Sequence, residues 1–454
     1  MTEQIIKFLT AGNVDDGKST LIGRLLYDTG ALYLDQIDEV KKSSEKSFDG
    51  DLDFSLFLDG LISERAQKIT IDVAYRYFSY RGKKFIIADA PGHEQYTRNM
   101  AVAASNSDCV IILIDATKSI KTQTIRHSFI ANLFGIKNVI VAVNKMDLVG
   151  FDYEIFDALT KSYLEKTAEL GFENIHFVPI AAISGENLVK KSKKISWYSG
   201  KTLIEYLLDI KTNANTHEAL RFQVQNVVKH GVNRYYQGLL ASGKISIGDA
   251  VMIYPAQKPA KITQIFHSGL EVKNAFNNSS LAIAFDHEID IDRGALVSNF
   301  DNHPYFSNRT NGHLVWFGND FDFKDAQNFL IKINHNYLQA RIEKINRIID
   351  VNDLRSSVRR DSIAMNEIAD VNISISQKTA FDLFKSNKST GSFLLIDKTT
   401  NETLACGVIT NFLPKEDKIQ NRQEQFLTEL SDLVNRYFGR DYAPPNPPSH
   451  FPPK

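Results

Sequence analysis

Residues 12–19 read GNVDDGKS, which fits the pattern G-x-x-x-x-G-K-[ST]. An apolar run precedes them at residues 5–9, and a helix-like stretch follows at residues 20–27. In such a strand–loop–helix setting the glycines let the backbone wrap around phosphates, with N–H groups and a helix N-terminus facing the anion. The stretch therefore predicts a phosphate loop that opens an α/β domain.

Two side chains of this loop carry the chemistry. Lys18 is expected to reach the β- and γ-phosphates of a nucleotide, and Ser19 is expected to hold Mg²⁺. A chance match is the alternative. It is uncommon, because average residue usage produces this pattern in only roughly one or two of every hundred chains of this length. The residues expected to contact the nucleotide are Gly12, Asn13, Val14, Asp15, Asp16, Gly17, Lys18, Ser19 and Thr20.

A second motif, DAPGH at residues 89–93, follows the apolar run at residues 85–88. An acid at a strand end, here Asp89, can hold Mg²⁺ directly or through water. Gly92 can bring its backbone N–H to a γ-phosphate with no side chain in the way. His93 is then placed to orient an attacking water, although an ordinary surface histidine is the alternative. Ala90 and Pro91 complete this predicted nucleotide loop.

A third motif, NKMD, follows the apolar run at residues 139–143. The Asp147 carboxylate only accepts hydrogen bonds, so it can take the two N–H donors on the guanine edge. Adenine lacks that donor pair and would be a poor match. We therefore expect a guanine-reading loop formed by Asn144, Lys145, Met146 and Asp147.

Thr70, within KITID at residues 68–72, lies between the phosphate loop and Asp89. By itself it is a strand threonine. In this order of motifs, a threonine can sense Mg²⁺ and the γ-phosphate, in a segment that orders with GTP and relaxes after hydrolysis. The complete set predicts a GTPase in which water attacks the γ-phosphate in line. His93, Lys18 and Gly92 would supply positioning and charge stabilisation.

The order of patterns along the chain predicts the architecture. Through about residue 210, short apolar runs alternate with helical patterns, which indicates a mostly parallel sheet covered on both faces. Short alternating strands follow, and residues 301–311 are a plausible connection between two barrels. The prediction is an α/β P-loop GTPase domain with a mixed, mostly parallel sheet (1–214), two antiparallel β-barrels (215–306 and 307–415), and a C-terminal tail helix with a proline-rich extension (416–454).

Bulk properties narrow the class of protein. The 454 residues are enough for about three domains. A net charge of −1 gives no electrostatic reason to expect a nucleic-acid partner. The two cysteines, Cys109 and Cys406, argue against a disulfide framework. No signal peptide is visible, and the apolar runs are too short to span a bilayer, so we expect a soluble cytoplasmic protein.

Four strings carry a resemblance to a known family. The arrangement of a G domain and two barrels looks like that of elongation factors Tu and 1A, as does His93 after Asp-x-Pro-Gly. Translation factors, however, typically carry histidines where this loop has Asn13 and Asp16. The chain most resembles the GTPase-subunit family of bacterial sulfate adenylyltransferase, through about residue 411. The strings are GNVDDGKSTLIGRLL (12–26), ITIDVAYRYF (69–78), RFQVQ (221–225) and TGSFLLID (390–397).

The resemblance implies a division of labour. A catalytic partner subunit of the CysD type would bind ATP and sulfate and form adenosine 5′-phosphosulfate plus pyrophosphate, in a heterodimer or higher assembly. This chain would bind GTP and Mg²⁺ and couple GTP hydrolysis to that unfavourable adenylyl transfer. The alternatives are an elongation-factor-like carrier of aminoacyl-tRNA and a nucleotide-binding protein with only a structural role.

Two positions depart from the family pattern. The family usually has glycine where Lys68 stands, so the flexibility of the neighbouring segment could differ and hydrolysis could be slower or differently controlled. The fifth GTPase motif usually begins Ser-Ala, and Ala181 and Ala182 occupy it here. Their backbone N–H groups can still face a base, but the serine hydroxyl is missing.

Overall fold

The computed structural model describes residues 5–33, 37–38, 40, 53–57, 73–93, 96–211, 219–231, 233–322, 329–350, 357–358 and 360–414. Lys68, Thr70 and the tail predicted at residues 416–454 lie outside these ranges. Nearly all described residues belong to one compact unit, Met1–Phe412. Within the described ranges, no helix combines the length and apolar character needed to cross a membrane.

The N-terminal part forms a six-stranded sheet from β1 (Ile5–Ala11), β2 (Ala74–Tyr80), β3 (Lys83–Asp89), β4 (Cys109–Asp115), β5 (Asn138–Asn144) and β6 (Asn174–Pro179). The strand order is β2-β3-β1-β4-β5-β6. Strand β2 is antiparallel to β3, and the remaining pairs are parallel. Strand β4, CVIILID, is buried along its whole length, as a parallel strand covered on both faces requires.

The helices of this part are α1 (Lys18–Asp28), α2 (Thr97–Ser105), α3 (Thr122–Leu133), α4 (Tyr153–Thr167) and α5 (Leu203–Asp209). Alternate residues of the strands face two separate cores. Helices α1 and α5 pack against Phe8 and Ile111, whereas α2 and α3 pack against Leu9 and Val110. Because successive strand residues point to opposite faces, these helices cover both sides of the sheet. The predicted α/β class is confirmed.

The second part is a closed antiparallel barrel. Its strands are β7 (Arg221–His230), β8 (Asn233–Ser242), β9 (Lys244–Ser246), β10 (Ala250–Tyr254), β11 (Lys258–His267), β12 (Leu270–Glu271), β13 (Asn274–Phe276), β14 (Ser279–Phe285) and β15 (Leu296–Asn299). The order β10-β15-β7-β8-β14-β11 closes because β10 also pairs with β11. Inward apolar residues such as Ile262 and Ile265 fill the interior.

The third part repeats this architecture. Its strands are β16 (Tyr305–Trp316), β17 (Phe321–Asp322), β18 (Phe329–Ile333), β19 (Asn336–Ile349), β20 (Ser357–Val358), β21 (Ser362–Ile363), β22 (Ile368–Phe381), β23 (Ser392–Asp397) and β24 (Thr403–Phe412). The order β18-β23-β24-β16-β22-β19 closes through the β18–β19 pair. The two predicted antiparallel barrels are therefore confirmed.

The connection between the barrels is shorter than the sequence pattern suggested. Residues 301–311 contain several asparagines, yet β16 begins at Tyr305. Asn311 fits in this strand because its amide finds polar partners on the neighbouring strand β22. Its Nδ2 donates to Asp370 Oδ1 at 2.7 Å and to Asn372 Oδ1 at 3.1 Å. Cross-strand hydrogen bonding therefore outweighs the weak strand preference of asparagine.

A buried ion pair joins the two barrels. The Nε and Nη2 atoms of Arg221 each donate to the Asp382 carboxylate at 2.8 Å, and Nη1 donates to the Asn302 carbonyl at 2.9 Å. The Thr390 hydroxyl donates to the same carboxylate. The side chains of Arg221 and Asp382 are only 1% and 8% exposed. Since a charge buried without its partner is costly, this bidentate pair fixes one barrel against the other.

Replacing Arg221 with alanine is expected to lower the free energy of unfolding by about 3 kcal/mol, because Asp382 would stay buried without its cation. Urea denaturation followed by the fluorescence of Trp316, which is 2% exposed, measures the loss. The control is Arg341→Ala, at an exposed position of β19, with an expected change below about 0.5 kcal/mol. Equal losses in both variants would show that the buried pair does not stabilise the barrels.

The barrel formed by β16 to β24 also contacts the nucleotide-binding part. Lys388 Nζ donates to the carbonyl of Gly135, just beyond the end of α3, at 2.7 Å. The Arg98 guanidinium of α2 lies 5.8 Å from the centre of the Phe317 ring. Val315, Phe317 and Cys406 belong to the same apolar cluster as the inner face of α2. Helices α2 and α3 therefore form the face that this barrel covers.

Candidate nucleotide site

The predicted motifs meet at one edge of the six-stranded sheet. The loop at residues 12–19 follows β1, Asp89 ends β3, Asn144 ends β5, and Ala181 comes shortly after β6. The carboxyl ends of parallel strands share one edge, and this edge is where open α/β sheets bind their ligands. The fold thus brings together the motifs that the sequence placed far apart, Thr70 lying outside the described residues.

The phosphate loop closes around the ammonium group of Lys18. Its Nζ donates to the carbonyls of Gly12, at 3.0 Å, and Asn13, at 2.7 Å. Burial lowers the pKa of Lys18, and the nearby Asp89 carboxylate opposes that shift. Gly17, with φ of 92°, supplies the left-handed turn that leads into α1. An incoming phosphate can therefore pair with a cation already held at the centre of the loop.

The DAPGH loop packs directly on the phosphate loop. A methyl group at Gly92 would lie 2.4 Å from Lys18 Nζ and 2.9 Å from the Gly12 carbonyl, so only glycine fits. Asp89 is 3% exposed and accepts a hydrogen bond from Thr10 Oγ1 at 3.0 Å. Ala90 and Pro91 are buried beside it. This packing brings the Asp89 carboxylate and the Lys18 ammonium group into one buried site.

His93 lies on the open side of this arrangement. Its side chain is exposed, and its ring meets the Tyr96 ring edge to face at a centroid distance of 6.4 Å. The Tyr96 N–H donates to the His93 carbonyl at 3.0 Å. His93 directly follows Gly92, which packs on the phosphate loop, and its imidazole faces solvent, where a water molecule can reach it.

Asn144 ties two loops together. Its Nδ2 donates to the Asp16 carbonyl at 2.9 Å, and its Oδ1 accepts from the Ala182 N–H at 2.9 Å. The side chain of Asn144 is 2% exposed, and Ala181 and Ala182 are buried too. One amide thus links the phosphate loop to the loop after β6. This contact needs only the backbone of Ala182, so no serine hydroxyl is required for it.

Asn144→Ala is expected to weaken GTP and GDP binding about 10- to 100-fold, because two buried hydrogen bonds between loops are lost. Titration of a fluorescent GDP analogue measures the affinity. Asn138→Ala is the matched control, since Asn138 starts the same strand at its other end. The control is expected to bind GDP like the wild type. Equal losses in the two variants would show that the bridge does not support the nucleotide site.

The loop at residues 144–147, which is predicted to read guanine, is fixed through its buried residues, whereas its acidic residue is exposed. The Met146 N–H donates to the Ile180 carbonyl at 3.2 Å, while Asp147 is exposed. Lys145 Nζ lies 2.8 Å from Asp115 Oδ2. Burial alone would raise the pKa of Asp115, but hydrogen bonds from Lys145 and Thr117 hold it well below its usual range. The charged Asp115 carboxylate therefore fixes the position of the Lys145 ammonium group.

The Asn13 and Asp16 side chains form a pair inside the phosphate loop. Asp16 Oδ2 accepts from the Asn13 backbone N–H at 2.7 Å and from Asn13 Nδ2 at 3.0 Å. The same Nδ2 also lies 3.0 Å from Thr124 Oγ1 of α3. One turn further along, burial lowers the pKa of His127 to about 3, with Lys18 and Arg126 acting in the same direction. The Asp16 carboxylate and Thr124 thus hold the Asn13 side chain on this side of the loop.

Three residues of the site were missed by sequence reasoning. Thr10 supports Asp89, Asp115 holds Lys145, and Thr124 contacts Asn13. Asp115 had a usable signal, since it follows the apolar run at residues 110–114 as Asp89 and Asn144 follow theirs. Thr10 and Thr124 had none, because their roles depend on partners 79 and 111 residues away.

Known proteins similar to this chain include GTP-binding proteins, in agreement with the site described above. The family model of the elongation factor Tu GTP binding domain matches residues 3–226, and that of the GTP-eEF1A C-terminal domain-like family matches residues 309–410. Sulfate adenylyltransferase subunit 1 of Saccharophagus degradans is 40% identical over 440 residues, which cover 96% of this chain and 93% of the relative. Its counterpart in Francisella tularensis subsp. novicida is 42% identical over 443 residues, with the same coverage.

Among solved structures, Sup35 complexed with GDP is 18% identical, with 91% of this chain and 95% of that chain covered and a TM-score of 0.41. The curated relatives are much more similar and match nearly from end to end. The GTP-binding model covers the strands and loops that form the site described above. The chain therefore belongs to the sulfate adenylyltransferase subunit 1 family.

Proposed function

We propose that this chain is the GTP-hydrolysing regulatory subunit of an ATP sulfurylase in sulfate assimilation. It couples GTP hydrolysis to the formation of adenosine 5′-phosphosulfate and pyrophosphate from ATP and sulfate on a partner subunit. The observation that carries the proposal is the packing of Gly92 on the Lys18 loop, with Asn144 joining that loop to Ala182. This arrangement supports GTP binding, and the family supports the coupled reaction.

Three residues act on the γ-phosphate. The Lys18 ammonium group pairs with phosphate oxygens in place of the carbonyls that hold it here. The backbone N–H of Gly92 donates to the γ-phosphate, from a position where no side chain fits. His93, exposed beside Gly92, orients the attacking water. Such groups accelerate phosphoryl transfer by positioning and charge stabilisation.

The site offers the oxygen ligands that Mg²⁺ prefers. Ser19 contributes a hydroxyl in the first turn of α1, and the buried Asp89 contributes a carboxylate. Thr70 is proposed as a further ligand. When bound, Mg²⁺ neutralises charge on the β- and γ-phosphates. The Thr10 hydroxyl holds the Asp89 carboxylate in place for this role.

The base lies at the NKMD loop. The Asp147 carboxylate accepts from the two N–H donors of guanine, and Asn144 fixes the loops on either side. Lys145, held by Asp115, would offer its aliphatic stem to the base. Ile183 directly follows Ala182 and is 59% exposed, so it offers apolar surface that the opposite face of a purine can bury.

The family name also describes a complex. The relatives are called subunit 1, so a partner subunit belongs to the assembly. We propose that this partner is of the CysD type, that it binds ATP and sulfate, and that the complex works in the cytoplasm. We further propose that this chain is divided into a GTP-binding domain (1–214), two β-barrel domains (215–306 and 307–415) and a tail (416–454). No nucleic acid or membrane partner is part of the proposal.

The test is GTP hydrolysis by the purified chain, alone and together with a CysD-type subunit, ATP and sulfate. Strong stimulation is expected only in the complete mixture. A GTPase rate that stays the same when the partner, ATP and sulfate are added would contradict the proposal. GTP-dependent binding of aminoacyl-tRNA would then favour the carrier function instead. Tight GTP binding with negligible turnover in every mixture would favour a structural role.

A further inference from the structure

A cavity of about 350 Å³ lies where the nucleotide-binding part meets both barrels. Its lining includes Arg98 of α2, Gln223 of β7 and Cys406 of β24, and all three lie in the compact unit Met1–Phe412. Small-molecule sites typically enclose about 300–1,000 Å³, so this cavity is large enough for a small metabolite. We refer to it as the junction cavity.

The charged side chains among the described residues that line the junction cavity are basic. Arg98 and Lys332 line it together with His335, and no aspartate or glutamate is found among these described lining residues. Within the described part of the chain, neither Arg98 nor Lys332 forms an ion pair. Their cations instead lie 5.8 Å and 5.4 Å from the rings of Phe317 and Tyr337. Two cations are thus gathered at one cavity without a matching anion.

Two further donors line the same space. His335 Nε2 lies 3.1 Å from Gln225 Nε2, which donates, so Nε2 accepts and the proton of the neutral ring is on Nδ1. That Nδ1 is buried and has no hydrogen-bond partner among the residues that the structure describes. Ser389 Oγ accepts from Gln223 Nε2 at 3.0 Å, which leaves its own hydroxyl proton to donate. The cavity therefore offers donors that lack acceptors.

We propose that the junction cavity binds a small anion that carries a phosphate or sulfate group. Tetrahedral oxyanions accept hydrogen bonds at every oxygen, and guanidinium and ammonium groups are their usual protein partners. Arg98 and Lys332 would hold the charge, and His335 Nδ1 would donate to the remaining oxygens. The apolar walls, including Phe134 and Leu394, would exclude water and strengthen these contacts.

Because of the position of the cavity, a bound anion would link α2 to the barrel formed by β16 to β24. Arg98 is the second residue of α2, and α2 begins shortly after His93. Lys332 belongs to β18 of the barrel formed by β16 to β24. An anion held by both side chains bridges the segment that follows the γ-phosphate motif and that barrel. By linkage, it favours this arrangement of the chain over any in which the two separate.

The experiment is calorimetric titration of the full chain saturated with a non-hydrolysable GTP analogue, which fills the phosphate loop including its γ-phosphate position. Sulfate, phosphate and pyrophosphate are titrated in separate arms, with chloride of equal ionic strength as the baseline. Arg98→Gln and Lys332→Gln remove one cation each, and Lys332→Arg keeps the charge. The matched control is Lys344→Gln, at an exposed position of β19.

The expected result is one saturable site for at least one of the three anions. Each glutamine variant in the cavity should weaken it at least about tenfold, as loss of a charge-assisted hydrogen bond does. Lys332→Arg and Lys344→Gln should bind like the wild type. No binding in any arm, or equal binding by all variants, would overturn the proposal. GTP turnover plays no part in this titration, so its outcome is separate from that of the proposed function.

Hydrogen exchange with and without the anion locates the site independently of any substitution. Slower exchange is expected in α2 and in residues 389–394, which line the cavity from opposite sides. Protection confined to the phosphate loop would contradict the proposed location.

Discussion

Asp147→Asn is expected to lower the affinity for GTP by about 10³-fold or more and to create a preference for xanthosine triphosphate. In the proposed site the carboxylate accepts both N–H donors of guanine, whereas an asparagine would present one acceptor and one donor. Xanthine carries a carbonyl where guanine carries its amino group, so the asparagine matches xanthine. Competition between the two triphosphates for the purified chain measures the reversal.

The geometry of the loop makes this test specific. Asp147 is exposed while Met146 is buried, so the substitution changes the reading edge without disturbing the core. Asp157→Asn, on α4 of the same part, serves as the control and should leave both affinities unchanged. An unaltered preference for GTP in Asp147→Asn would show that this carboxylate does not read the base.

His93→Ala is expected to leave GTP binding within about threefold of wild type and to lower turnover by about 10²- to 10⁴-fold. The exposed imidazole touches neither Lys18 nor Asn144 in the described contacts, so its loss should spare the nucleotide-binding loops. In the proposed mechanism, by contrast, the positioning of the attacking water depends on this imidazole. Single-turnover hydrolysis of bound GTP separates the two effects.

An exposed histidine far from the site provides the comparison for this variant. His267→Ala, at the end of β11, should hydrolyse GTP at the wild-type rate. If His93→Ala kept full turnover as well, His93 would have no part in the mechanism. If it lost binding and turnover together, its role would be structural.

Much of the fold and the site could be predicted from local pattern. The motifs around Lys18, Asp89 and Asn144 each combine an apolar run with a polar residue at its end, and a parallel sheet places such ends together. The change from helical to alternating spacing marked the start of the barrels. The predictions of fold class are confirmed because each rests on neighbours in the sequence, whereas the roles of the site residues stay predictions.

The features that escaped prediction are long-range pairings. The Arg221–Asp382 ion pair joins residues 161 positions apart, and the Asn144–Ala182 bridge joins residues 38 apart. The asparagine-rich segment before Gly312 has the composition of a connection, whereas the partners of Asn311 lie on β22, 59 and 61 residues further along the chain. The cations of the junction cavity come from different parts of the chain. Only the folded chain brings such groups together.

The proposed function requires that GTP hydrolysis drives adenylyl transfer. This coupling is tested by measuring the adenosine 5′-phosphosulfate formed by the chain with its CysD-type partner, ATP and sulfate, together with the GTP hydrolysed. We expect product beyond the level reached without GTP, in fixed proportion to GTP consumed, and no such gain with a non-hydrolysable GTP analogue. The same product level with GTP, with the analogue and without either would contradict it.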